Sequence, residues 1–124
     1  LSVRDAAKCA EIDANGIVVS HHNGRMNYAM PPLAVLPEIV KEVGDVMPVF
    51  VDCGVCSGMD AYKALALGAT AVSVGNHLIP VLKKGGAQAV ADRIDAMTEE
   101  LKGAMAYTGV KSMKEFDASV IHRL

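Results

Sequence analysis

Apolar residues follow two rhythms along this chain. Three short runs are almost continuously apolar: Gly16-Ile17-Val18-Val19-Ser20, Pro48-Val49-Phe50-Val51-Asp52 and Ala71-Val72-Ser73-Val74-Gly75. Runs without polar alternation mark parallel strands covered on both faces. Helical patterns lie between and around them. Ser2 can cap a first helix over 2–13, and Asn15-Gly16 can end it. A second helix is predicted over 37–43, with Pro37 in the tolerated first turn and Gly44 after the last. A third covers 59–67 and is closed by Gly68. The longest spans about 87–107, where Val90, Ile94, Met97, Leu101 and Met105 recur at steps of three and four and form one face. Ser112 and Glu115 have the spacing of a capping box for a last short helix.

The predicted order is α-β-α-β-α-β-α-α. Strands alternating with helices define an α/β chain with a parallel sheet. Three strands are too few to close a barrel. The 124 residues contain no low-complexity tract or linker, so a single domain is expected. The opening Leu1, in place of Met, suggests a trimmed chain or a fragment.

Composition narrows the function classes. A 52% hydrophobic content supports a buried core and argues against disorder. The net charge of -2 offers no basic surplus for nucleic acid, and two Phe, three Tyr and no Trp leave few stacking platforms for bases. No apolar run approaches the roughly 18 residues of a membrane span. Three cysteines are too few for a disulfide framework, and a reducing cytoplasm is the expected compartment.

Ligands of parallel α/β folds lie at the carboxyl ends of the strands. All three predicted strands end in unusual residues. The first runs into Ser20-His21-His22-Asn23-Gly24-Arg25, the second into Asp52-Cys53-Gly54-Val55-Cys56-Ser57-Gly58, and the third into Gly75-Asn76-His77.

These segments resemble the FMN-dependent α-hydroxy acid oxidase/dehydrogenase family. That family's G-I-V-V-S-N-H-G-G-R pattern corresponds to Gly16 to Arg25, which here reads Gly-Ile-Val-Val-Ser-His-His-Asn-Gly-Arg. Its V-D-G-G-I-R-x-G-x-D-x-x-K-A-L-A-L-G-A pattern corresponds to Val51 to Ala69. The tail Met105-Ala106-Tyr107-Thr108-Gly109 is similar to the family's M-x-x-T-G. The resemblance covers nearly the whole chain. It implies the C-terminal three β/α units of a TIM (β/α)8 barrel over residues 1–124, with FMN as cofactor and a small 2-hydroxy acid as substrate, oxidised to the 2-oxo acid. Position by position, it makes His22 the catalytic base, a role suited to a group that titrates near neutrality. Arg25 becomes the bidentate grip on the substrate carboxylate. Asp52 faces the ribityl chain. The backbone around Cys53, Gly54 and Gly75, with the positions of Cys56 and Asn76, surrounds the phosphate.

The chain also departs from the pattern. Cys56 and Asn76 stand where the family has two phosphate-binding arginines. Charge-assisted contacts to phosphate are worth about 1.5–3 kcal/mol each, so weakened FMN binding is expected. Cys53 and Asn23 replace glycines at tight turns; Asn tolerates positive φ, Cys less readily. His21 replaces an Asn beside the base. The resemblance further implies that the first five strands, with most of the flavin-ring pocket and the Asp that orients the base, lie outside these residues.

Other readings of the same residues stand beside this one. A diverged barrel domain could fold without catalysis and with little or no FMN. Cys53-Gly54-Val55-Cys56 is a C-x-x-C motif between a strand and a helix, as in thiol redox modules. His21-His22 lacks a third ligand, so no metal is expected. His77 and His122 are read as ordinary surface histidines, and the methionines of the long helix as core filler. Open sheet edges predict a homo-oligomer, or pairing with the missing N-terminal half of a barrel.

Overall fold

The computed structural model describes residues 1–122. Its elements are α1 (Val3–Glu11), β1 (Ile17–Val19), α2 (Pro32–Val43), β2 (Val49–Val51), α3 (Gly58–Ala66), β3 (Ala71–Val72), α4 (Leu78–Thr108) and a 3-10 turn at Ala118–Val120. The three strands form one parallel sheet in chain order. Ile17, Val18 and Val19 lie opposite Val49, Phe50 and Val51, and Phe50 and Val51 lie opposite Ala71 and Val72. Thr70 pins this register, because its hydroxyl accepts the Val49 N–H at 3.0 Å.

Helices cover one face of the sheet. Val19, Val49 and Val51 are buried there with Ala6 of α1, Leu36, Ile39 and Val43 of α2, and Ala64 of α3. Val18 and Phe50 point to the other face and remain 57% and 36% exposed. The expectation of strands covered on both faces is therefore corrected. The strands carry apolar side chains on both sides, but the described residues supply helices for only one.

Local chemistry explains most element ends. The Ser2 hydroxyl accepts the Asp5 N–H and starts α1. The Ser57 hydroxyl accepts the Asp60 N–H and starts α3. α2 begins five residues earlier than predicted, at Pro32, so Pro37 lies inside the helix instead of in its first turn. A proline there forfeits one backbone hydrogen bond. Burial of Leu36, Ile39 and Val43 on the sheet offsets that loss.

α4 contains the predicted helix over 87–107 and an unpredicted segment before it. The two parts meet at Gly86, whose φ of 68° and ψ of -163° break the helical path. Along the predicted apolar stripe Met97 is buried, but Ile94 is 47% exposed. The predicted helix after Ser112 is also corrected. The Glu115 N–H bonds the Ser112 carbonyl to make a turn, and the Glu115 side chain accepts from Ser112 Oγ and the Lys111 N–H. Among the described residues of this tail, the helical turn comes later, at 118–120, capped by Asp117.

Candidate functional site

Parallel pairing sends the loops after β1, β2 and β3 to the same end of the sheet. They enclose a cavity of about 160 Å³. Six of the predicted site residues line it: Asp52, Cys53, Gly54 and Cys56 after β2, and Gly75 and Asn76 after β3. Asn23, Val55, Ser73 and His77 complete the lining. His77, read from sequence as a surface histidine, thus belongs to the cavity wall and is half-buried.

His22 and Arg25 do not line this cavity. Both are exposed on the loop after β1. The loop is tied to the cavity through its backbone. The His22 N–H donates to Ser20 Oγ at 2.9 Å, the Asn23 N–H to Cys53 Sγ at 3.3 Å, and the Gly24 N–H to His21 Nδ1 at 3.0 Å. Three consecutive residues, His22, Asn23 and Gly24, hold positive φ of 52°, 54° and 84°.

Cys53 also takes a left-handed conformation, with φ of 65°, followed by Gly54 at 86°. Its thiol donates to Asp52 Oδ1 at 2.8 Å and lies 3.4 Å from Ser20 Oγ. The side chain therefore links the loops after β1 and β2. A Cβ at Gly54 or Gly75 would meet nothing within 4 Å, so both glycines border open space. The cavity volume is below the roughly 300 Å³ at which whole-ligand pockets begin.

The carboxylates nearby are engaged. Asp60 accepts from the Cys56 N–H at 3.1 Å and Ser57 Oγ at 2.8 Å. Partial burial alone would raise its pKa. The Ser57 hydroxyl, the Cys56 N–H and the Lys63 charge outweigh burial and hold it below the usual carboxylate range. Glu100 of α4 accepts the Gly58 N–H at 2.7 Å. Gly58 is essential to that contact, because a Cβ there would overlap the Met97 carbonyl oxygen and the Leu101 nitrogen.

One residue at the site escaped the sequence reading. Arg93 of α4 donates from Nη2 to the Cys56 carbonyl at 2.6 Å and from Nε to His77 Nε2 at 3.0 Å. Its Nη1 lies 3.6 Å from Glu100 Oε1. The available signal was its position, three residues after Val90 and four before Met97, as a lone cation within the apolar stripe. Among the described residues, no three His, Cys, Asp or Glu side chains converge as metal ligands would.

A parallel α/β sheet with a glycine-bordered cavity at its carboxyl strand ends defines a class of α/β ligand-binding protein. Comparison with known proteins narrows that class. Residues 1–123 match the family model described as FMN-dependent dehydrogenase. The chain is 38% identical over 122 residues to an L-lactate dehydrogenase of Caulobacter sp. (strain K31), covering 98% of this chain and 32% of that protein. It is 39% identical over 120 residues to 2-Hydroxyacid oxidase 1 of Homo sapiens, covering 96% of this chain and 32% of that one. Among solved structures it is similar to a mandelate oxidase variant with the monooxide FMN adduct, at a TM-score of 0.89 and 40% identity over 92% of this chain and 37% of that one. The chain belongs to the FMN-dependent α-hydroxy acid oxidase/dehydrogenase family. It spans about a third of the length of the curated relatives it matches.

Proposed function

We propose that these residues form the C-terminal three β/α units of a (β/α)8 barrel that binds FMN and oxidises a small 2-hydroxy acid to a 2-oxo acid. One observation carries the reading: the six residues expected around the cofactor converge on a single cavity at the carboxyl ends of three parallel strands. The open space beside Gly54 and Gly75 fits a phosphate, and Asp52 offers a carboxylate to ribityl hydroxyls. FMN, when bound, supplies a two-electron acceptor for the substrate.

The remaining roles belong to the chain. His22 receives the proton of the substrate hydroxyl on its imidazole, and Arg25 orients the carboxylate through two parallel hydrogen bonds. Both sit on the loop whose backbone is tied to the cavity through Asn23 and Cys53. Strands outside these residues would wall in the flavin ring and the substrate.

The test uses the full-length polypeptide. Purified protein is expected to show flavin absorbance, and a 2-hydroxy acid added without oxygen is expected to bleach it. His22→Ala should retain the flavin and lose bleaching. Protein that acquires no flavin when supplied with FMN would overturn the reading.

A further inference from the structure

Resting on the flavin reading above, we propose that Arg93, reaching across from α4, forms with His77 a cationic clamp for the FMN phosphate. The clamp would stand in for the charges absent at Cys56 and Asn76.

The geometry is specific. Arg93 is held from two directions, by the Cys56 carbonyl and by His77 Nε2, and both of these residues line the cavity. A guanidinium has five N–H donors in a rigid fork. One Nη2 hydrogen and the Nε hydrogen are used, and Nη1 at 3.6 Å from Glu100 is beyond hydrogen-bond range. Donors therefore remain for an anion. Arg93 itself is not among the lining residues and reaches the cavity through His77 and Cys56; accepting from Arg93 at Nε2 leaves the ring proton of His77 on Nδ1, a donor on the wall.

Arg93 forms an ion pair with Glu100, Nη1 to Oε1 at 3.6 Å, and an anion would share its charge with that carboxylate. Glu100 is occupied through Oε2 by the Gly58 N–H. Asp60 is occupied by the Cys56 N–H and the Ser57 hydroxyl. Asp52 is the only carboxylate on the cavity wall, and it accepts the Cys53 thiol. The Arg93 side chain is 29% exposed, so its attraction to an anion is screened less than that of a free surface lysine. A cation arriving from a different element reaches the same loop from which the sequence pattern has lost one.

The experiment titrates FMN and riboflavin against the full-length polypeptide, following flavin fluorescence. Riboflavin has the same ring and ribityl chain without the phosphate. Wild-type protein should prefer FMN, and the preference should shrink as salt is raised. Arg93→Met should weaken FMN binding about ten- to a hundredfold, as expected for one charge-assisted contact, and leave riboflavin binding unchanged. Arg93→Lys should recover part of the loss. Lys102→Met, at an exposed lysine paired with Glu99, should change neither ligand. Equal weakening of both flavins by Arg93→Met would make Arg93 a support for the Cys56 loop and overturn the clamp. So would unchanged FMN affinity. If Arg93→Met does not fold, a wild-type preference for FMN that is absent or insensitive to salt overturns the clamp. Wild-type protein that binds neither flavin overturns the flavin reading and the clamp together.

Discussion

Cys53 shows how one side chain can be costly and useful together. A left-handed conformation costs a non-glycine residue about 1–2 kcal/mol. The thiol offsets part of that cost by bonding Asp52, Ser20 and the Asn23 N–H. Cys53→Val removes these bonds and adds a branched Cβ at a φ of 65°. It should destabilise the fold by about 2 kcal/mol in urea denaturation. Cys53→Gly relieves the backbone and loses the bonds, so its midpoint should stay close to wild type. Gly58 is less forgiving. Its missing Cβ lets α3 and α4 meet, and overpacking there should cost about 1–3 kcal/mol. Gly58→Ala is expected to lower the thermal midpoint and weaken the Glu100 contact. A midpoint equal to wild type would show that α4 can shift freely.

Among the elements, α3 has the most explicit start. Ser57→Ala removes the cap and should cost about 1 kcal/mol in denaturant unfolding. Asp60 adds a pH dependence. Its folded-state pKa lies below the ordinary value, so its contribution is complete at neutral pH and is lost as pH falls through that lowered pKa, below about pH 4. Asp60→Asn should flatten this part of the acid unfolding curve. The span of this element and its closing Gly68 were legible in the sequence, because both are local signals, whereas the Ser57 cap was found only in the structure. The strand centres were legible for the same reason. The ladders proved shorter than the apolar runs, since pairing stops where Cys53, Ser73 and their neighbours turn into the cavity. The first turns of α4, before residue 87, were hidden by Lys83-Lys84-Gly85-Gly86, which reads as a break. Arg93 was hidden more deeply, because its contact with Cys56 exists only once α3 and α4 pack.

At the scale of the molecule, the sheet is half dressed. Val18 and Phe50 lie on its uncovered face, and β1 and β3 each have one unpaired edge among the described residues. A second apolar hollow is lined by Val72, Val74, Ile94, Met97 and Leu101. Such surface on a lone polypeptide promotes association. The 124-residue polypeptide by itself is therefore expected to sediment as an oligomer at micromolar concentration. A stable monomer there would show that the open face tolerates water. No helix among the described residues is long and apolar enough to cross a membrane.

The strands that are apolar on both sides leave a further mark. In an ordinary half-buried strand, sliding by one residue would drive polar groups into the core, so hydrophobicity itself forbids the slip. Ile17-Val18-Val19 and Val49-Phe50-Val51 carry no such penalty, because a shifted strand still presents oil to the helices. The alignment of β2 must then be enforced by a few polar bolts, above all the Thr70 hydroxyl on the Val49 N–H. A chain of this kind is prone to near-miss pairings while it folds, and its fidelity depends on a hydroxyl group at the rim more than on the bulk of the core.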